Sequence, residues 1–158
     1  MRYLITLMPI LFSAVVFGSP LKIQLPDQSV IYTDTETLLS DFETETFETH
    51  LPWFEDARQF TGIPVIELIE RYGDKNTFAV TFSALNDYRA TSTIEDINNY
   101  QPIIALSMNN EPMKIRHKGP FWMIYNLDKY PEIDNATYHS QMVWQIDEIV
   151  IYSNSNDQ

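Results

Sequence analysis

The chain has 158 residues, a formal net charge of −12, 44% hydrophobic residues and no cysteine. That acidic balance excludes a nucleic-acid binder, whose phosphate contacts need a basic face, and disfavours docking on an anionic membrane surface. Without cysteine there is no disulfide, thiolate ligand or cysteine nucleophile, so stability rests on the core, and the length suits one domain.

Residues 1–18 differ from the rest. Arg2 precedes the apolar run "YLITLMPILFSAVVF", and Gly18 and Ser19 supply small side chains after it. A basic start, an apolar stretch too short for a spanning helix and a small-residue exit predict a cleaved secretory signal. The expected mature chain is 19–158, a single periplasmic domain with no membrane insertion after cleavage.

Leu21, Ile23 and Leu25 alternate with polar residues, as do Val30 and Tyr32 after "PDQ", which predicts an initial strand or hairpin. "TETLLSDF" is long enough only for a short helix, and "ETETFETHL" alternates as a half-buried strand does. "GIPVIELIERYG" is the clearest helix, with Pro64 in its first turn, an apolar face of Val65, Ile66, Leu68, Ile69 and Tyr72, and Gly73 at its end. "TFAVTFSAL" reads as a buried strand. Ser92 and Glu95 have capping-box spacing and open a short helix through "IEDINNY". Two strands flank the turn "NNEPMKIRHKG", and "MVWQIDEIVIY" reads as a strand alternating Met142, Trp144 and Ile146 before a polar tail. Strands outnumber short helices without a βαβ repeat, which predicts an α+β class with a mainly β mixed sheet.

Three clusters carry the candidate chemistry. "NDYRA" (Asn86, Asp87, Tyr88, Arg89) follows an apolar strand and reads either as an Asx turn or as ligand-contacting groups at a strand end. Lys114, Arg116, His117 and Lys118 concentrate positive charge; on a strand, Lys114 and Arg116 would share a face opposite Ile115 and hold a phosphate or carboxylate. Trp53, Trp122, Tyr125 and Trp144 are core aromatics or a ligand platform. His50, His117 and His139 lack metal-ligand spacing. No nucleophile elbow, phosphate loop or dinucleotide fingerprint is present.

The order "FTGIPVIELIERYG", "NDYRA", "ALSMNNEPM", "HKGPFWMIY", "MVWQIDEIVI" resembles the molybdopterin-binding domain of the sulfite oxidase family over roughly residues 35–151. The resemblance implies a compact α+β domain of mixed sheets around a cofactor cleft. It puts the basic residues on the cleft rim, where the family binds an anionic pterin phosphate. It also implies that Asp87, Tyr88, Arg116, His117 and Trp122 converge.

The departures from the family pattern decide the functional expectation. The family's molybdenum-ligating cysteine would fall in "TFETHLPW", where Thr49 or His50 stands, and neither replaces a soft thiolate. Trp122 stands where the family has a phosphate-binding arginine, and the family's "D-G-Y" is Asn86-Asp87-Tyr88. The expectation is therefore an exported, non-catalytic domain without a cofactor. It would bind a small anionic ligand or a periplasmic protein partner, as the sensing half of a signalling pair. The candidate ligand residues are Trp53, Asn86, Asp87, Tyr88, Arg89, Arg116, His117, Lys118 and Trp122. The alternatives are a molybdopterin-dependent oxidoreductase with a non-cysteine site and an interaction module without ligand.

Overall fold

The computed structural model describes residues 20–154. The expected signal at 1–18 and the last four residues of the polar tail lie outside the described residues.

The chain opens with β1 (Leu21–Gln24) and β2 (Val30–Thr33), an antiparallel hairpin. Helix α1 (Thr35–Asp41) starts where the Asp34 carboxylate accepts from the Thr37 amide at 2.8 Å, which satisfies one of the free donors of a first turn. Strands β3 (Glu45–Thr49) and β4 (Arg58–Pro64) lead into α2 (Val65–Tyr72). Pro64 is the residue before this helix, and the Gly73 amide closes its end on the Ile69 carbonyl. Then come β5 (Thr77–Ala84), β6 (Arg89–Thr93), α3 (Ile94–Tyr100), β7 (Ile103–Met108), β8 (Glu111–Pro112), β9 (Trp122–Ile124), α4 (Ala136–Gln141) and β10 (Ile146–Ser153).

The strands form two sheets. The first has the order β2-β1-β10-β5-β6, in which β1 and β10 run parallel and the other pairs antiparallel. In the second, of order β3-β4-β7-β8, β9 also pairs with β7 and every pairing is antiparallel. The expected α+β class with a mixed sheet is the architecture found. Leu21, Ile23, Phe60, Ile63, Phe82, Ile104 and Ile149 belong to one buried cluster reached from both sheets. At Gly62, where a bulge shifts the β4–β7 register, an added Cβ would run into the Ile104 carbonyl and the Ala105 Cα. Only glycine allows that approach. Among the described residues no helix is long and apolar enough to cross a membrane.

Four local expectations are corrected. Strand β4 was not anticipated, and it takes up Ile63 and Pro64, which the sequence pattern put in the helix. The cap of α3 is Thr93, whose hydroxyl accepts from the Asp96 amide at 3.1 Å. Ser92 is buried instead, its hydroxyl donating to Gln141 Oε1 at 2.8 Å. The segment carrying Arg116 is a 3₁₀ turn (Ile115–His117), so Lys114 and Arg116 do not share a strand face. The last strand begins at Ile146 rather than Met142, because Gln145 takes a left-handed backbone (φ 54°) that ends extended pairing.

Candidate functional site

A cavity of about 300 Å³ opens where the β5–β6 turn, the β3–β4 connection and α4 meet. Trp53, Met142, Val143 and Trp144 give it apolar walls, and Asn86, Tyr88 and His139 contribute polar groups.

The turn is built by local chemistry. The Ala84 amide donates to the Tyr88 carbonyl at 2.8 Å, and the Asp87 amide donates to the Ala84 carbonyl at 2.9 Å. Asp87 sits at φ 66°, a left-handed conformation that a short polar side chain tolerates. Asn86 Oδ1 accepts from the Tyr88 amide at 3.2 Å. The segment is thus the Asx turn that its composition suggested, and it also presents two cavity residues. Tyr88 reaches across the opening, its hydroxyl donating to the Ser140 carbonyl at 2.7 Å, which ties the β5–β6 turn to α4.

Helix α4 is capped by Asn135, whose side chain accepts from the Thr137 amide. That start holds Asp134 just before the helix and His139 within it, with Nε2 and Asp134 Oδ1 2.7 Å apart. Trp53 packs edge-on to His139 at 6.2 Å between ring centroids and to Trp144 at 5.3 Å. Trp122 lies behind these rings, 5.6 Å from Trp53 and 6.1 Å from Trp144. The Lys118 ammonium is 3.4 Å from the Trp144 ring centroid and 5.1 and 5.3 Å from those of Trp122 and Trp53. Burial lowers the pKa of Lys118, while the ring faces attract the charged form. The Gln145 amide donates to the Lys118 carbonyl at 3.0 Å, and Gln145 Nε2 donates to the Ile115 carbonyl at 2.6 Å, so the basic turn is fastened beside the tryptophans.

The structure brings Trp53, Asn86 and Tyr88 to one cavity, and Lys118 and Trp122 to the adjoining cluster. It does not extend that convergence to Asp87, Arg116 and His117: none of them lines the cavity, and all are exposed. Arg89 lies 3.6 Å from Glu148, which also pairs with Lys22 at 2.6 Å, so its charge is engaged on the first sheet. Trp122 is fully buried, its indole N–H donating to the Met142 carbonyl at 3.0 Å; it is a core residue behind the site. Sequence reasoning passed over His139 as a site residue because it weighed that histidine only as a metal ligand, and it did not single out Asp134. The signal was the pair's spacing across the Asn135 cap.

The donor set does not fit a molybdenum pterin. The cavity's apolar walls present no thiolate, and the chain contains none. Thr49 is buried, with its hydroxyl accepting from the Asp128 amide at 3.2 Å, and His50 Nδ1 lies 2.9 Å from Asp128 Oδ2. Both residues that would replace the thiolate are therefore tied to Asp128.

No family model matches the chain, and no curated protein matches it. Among solved structures it is similar to the sulfane dehydrogenase SoxCD from Paracoccus pantotrophus, with a TM-score of 0.62 and 12% identity. The match covers 88% of this chain and 39% of that one, so the chain spans about two fifths of that neighbour's length. What the two share is the fold: an α+β domain with a mixed sheet and short helices.

Proposed function

We propose that this chain is an exported, non-catalytic binding domain that uses an oxidoreductase fold to hold a small ring-bearing molecule and carries no molybdenum centre. The observation that supports this reading most is the tryptophan-walled cavity of about 300 Å³ in a chain without cysteine. A dry apolar cavity of roughly 150 Å³ admits benzene, so this one has room for a substituted ring. Such a site, mostly apolar with a few polar groups, matches the general form of small-molecule pockets. The exposed cations of the 114–117 turn then serve a different contact, with an anionic group on a periplasmic protein partner, and give the domain a sensing role. Export rests on Arg2 and the apolar run that follows it.

The similarity to a dehydrogenase favours a second reading, an oxidoreductase that binds molybdopterin without a thiolate. Expression in a molybdopterin-competent host, followed by purification from the periplasm, separates the two. Intact mass should give a chain starting near Ser19, and elemental analysis should find no stoichiometric molybdenum. About one molybdenum per chain would replace this reading with the second; full-length protein in the membrane fraction would make the domain tethered.

A further inference from the structure

We propose that the Asp134–His139 pair makes the cavity selective for aromatic molecules carrying a hydroxyl group, with His139 Nδ1 accepting the ligand's O–H. This deepens the binding reading given above and rests on it.

A carboxylate only accepts hydrogen bonds, so the 2.7 Å contact with Asp134 Oδ1 places the imidazole proton on Nε2. In the neutral ring Nδ1 is then an acceptor, and among the described residues it has no hydrogen-bond partner. The ring is held on two sides: Asp134 fixes its Nε2 edge, and Trp53 packs edge-on against it at 6.2 Å. The same histidine lines the cavity, and its side chain is 24% exposed, so a ligand can reach it. This is the geometry of an oriented imidazole, in which a carboxylate sets the tautomer and leaves the other nitrogen for the ligand.

The rest of the lining agrees with a hydroxyl-bearing ring. Trp53 and Trp144 stand edge-to-face at 83° and offer an aromatic wall for a flat molecule. The Tyr88 hydroxyl donates away to Ser140, which leaves its lone pairs as acceptors, and Asn86 commits only its Oδ1 to the turn. A phenol both donates and accepts, and so meets both kinds of group. A saturated hydrocarbon would leave them unpaired.

The test uses three probes on one tolyl ring, differing only in the para substituent: toluene, p-cresol and 4-methylanisole, which present no polar group, a donor with an acceptor, and an acceptor alone. Binding is read by NMR titration of the indole N–H signals of Trp53 and Trp144. Wild-type protein should bind p-cresol about tenfold more tightly than 4-methylanisole, the worth of one hydrogen bond near the upper end of the usual range. His139→Leu should remove that preference while toluene still binds, which also reports that the cavity is folded. Asp134→Asn, which releases the tautomer, should reduce the preference. If wild-type protein binds toluene but does not prefer p-cresol, or if His139→Leu or Asp134→Asn leaves the preference unchanged, the proposal falls and the binding reading stands. If none of the three probes binds, both fall.

Discussion

Replacing Leu68 and Ile66 separately by alanine tests how α2 supports the fold. Val65, Leu68 and Ile69 are 1%, 3% and 7% exposed, whereas Ile66 is only partly buried. Ile66 lies in the first turn of α2 and Leu68 in its second, and leucine and alanine differ little in helix propensity. Ile66→Ala gains some helix propensity that Leu68→Ala does not, so the contrast between the two reads burial plus a few tenths of a kcal/mol of propensity, on the order of the host–guest scale. Truncating a buried leucine costs about 2–5 kcal/mol, from lost transfer energy and the residual void. With an unfolding entropy of about 2.1 cal/mol/K per residue, a domain of about 135 residues loses roughly 3–4 °C per kcal/mol. Leu68→Ala at about 3 kcal/mol should lower Tm by about 10 °C. Ile66→Ala loses less burial and gains propensity, so about 1 kcal/mol and 3–4 °C are expected. Thermal circular dichroism supplies Tm, and urea titration with an unchanged slope confirms that the native state rather than the unfolded state was altered. A fall of 2 °C or less for Leu68→Ala, or an Ile66→Ala effect as large as that of Leu68→Ala, would refute the assignment of this face to the core.

Burial raises the pKa of the Tyr125 phenol, with the hydrogen bond to Ser92 opposing it. A raised folded pKa means that the contribution is fully present below the unfolded value of about 10 and is lost as pH rises through the folded value. Tyr125→Phe should therefore weaken the alkaline loss of stability above about pH 10, at a cost near 1 kcal/mol at neutral pH for the bonds to Gln141 and Ser92; an unchanged alkaline slope in denaturation titrations would sink this account. Gly62→Ala forces a methyl group against the backbone of Ile104 and Ala105 and should cost about 1–3 kcal/mol or more. A denaturation midpoint equal to wild type would mean that β4 and β7 do not approach this closely.

Helix α2 was legible because three independent signals agree there: Pro64 at its start, apolar residues at helical spacing, and Gly73 at its end. Strands β5 and β7 were legible because their apolar runs are nearly continuous, as buried strands read. Strand β4 was not, because "RQFTGIP" has little alternation, contains Gly62 and Pro64, and runs straight into a helix. Helix α4 was missed for the opposite reason: none of its six residues is fully buried, so it leaves no periodic stripe to read. The cavity inherits that gap. Trp53, Asn86 and Tyr88 were named from composition and from the resemblance, but His139 and Asp134 meet only because Asn135 starts a helix between them. The basic residues misled because local charge density says where cations cluster and not which way a 3₁₀ turn presents them.

The first sheet places β10 between β1 and β5, so the described strand made last by the ribosome is the one in the middle. Ile23 is partnered by Ile149 and Val80 by Ile151, contacts that join distant parts of the chain. A nascent chain halted before Ile146 would hold the β1–β2 hairpin and the β5–β6 hairpin as two fragments with a strand-wide gap and apolar edges facing it. Loops of this span close slowly, and open apolar edges invite pairing with other chains. From this strand order the sheet is expected to close late, once β10 has been made and enters between the β1–β2 and β5–β6 hairpins.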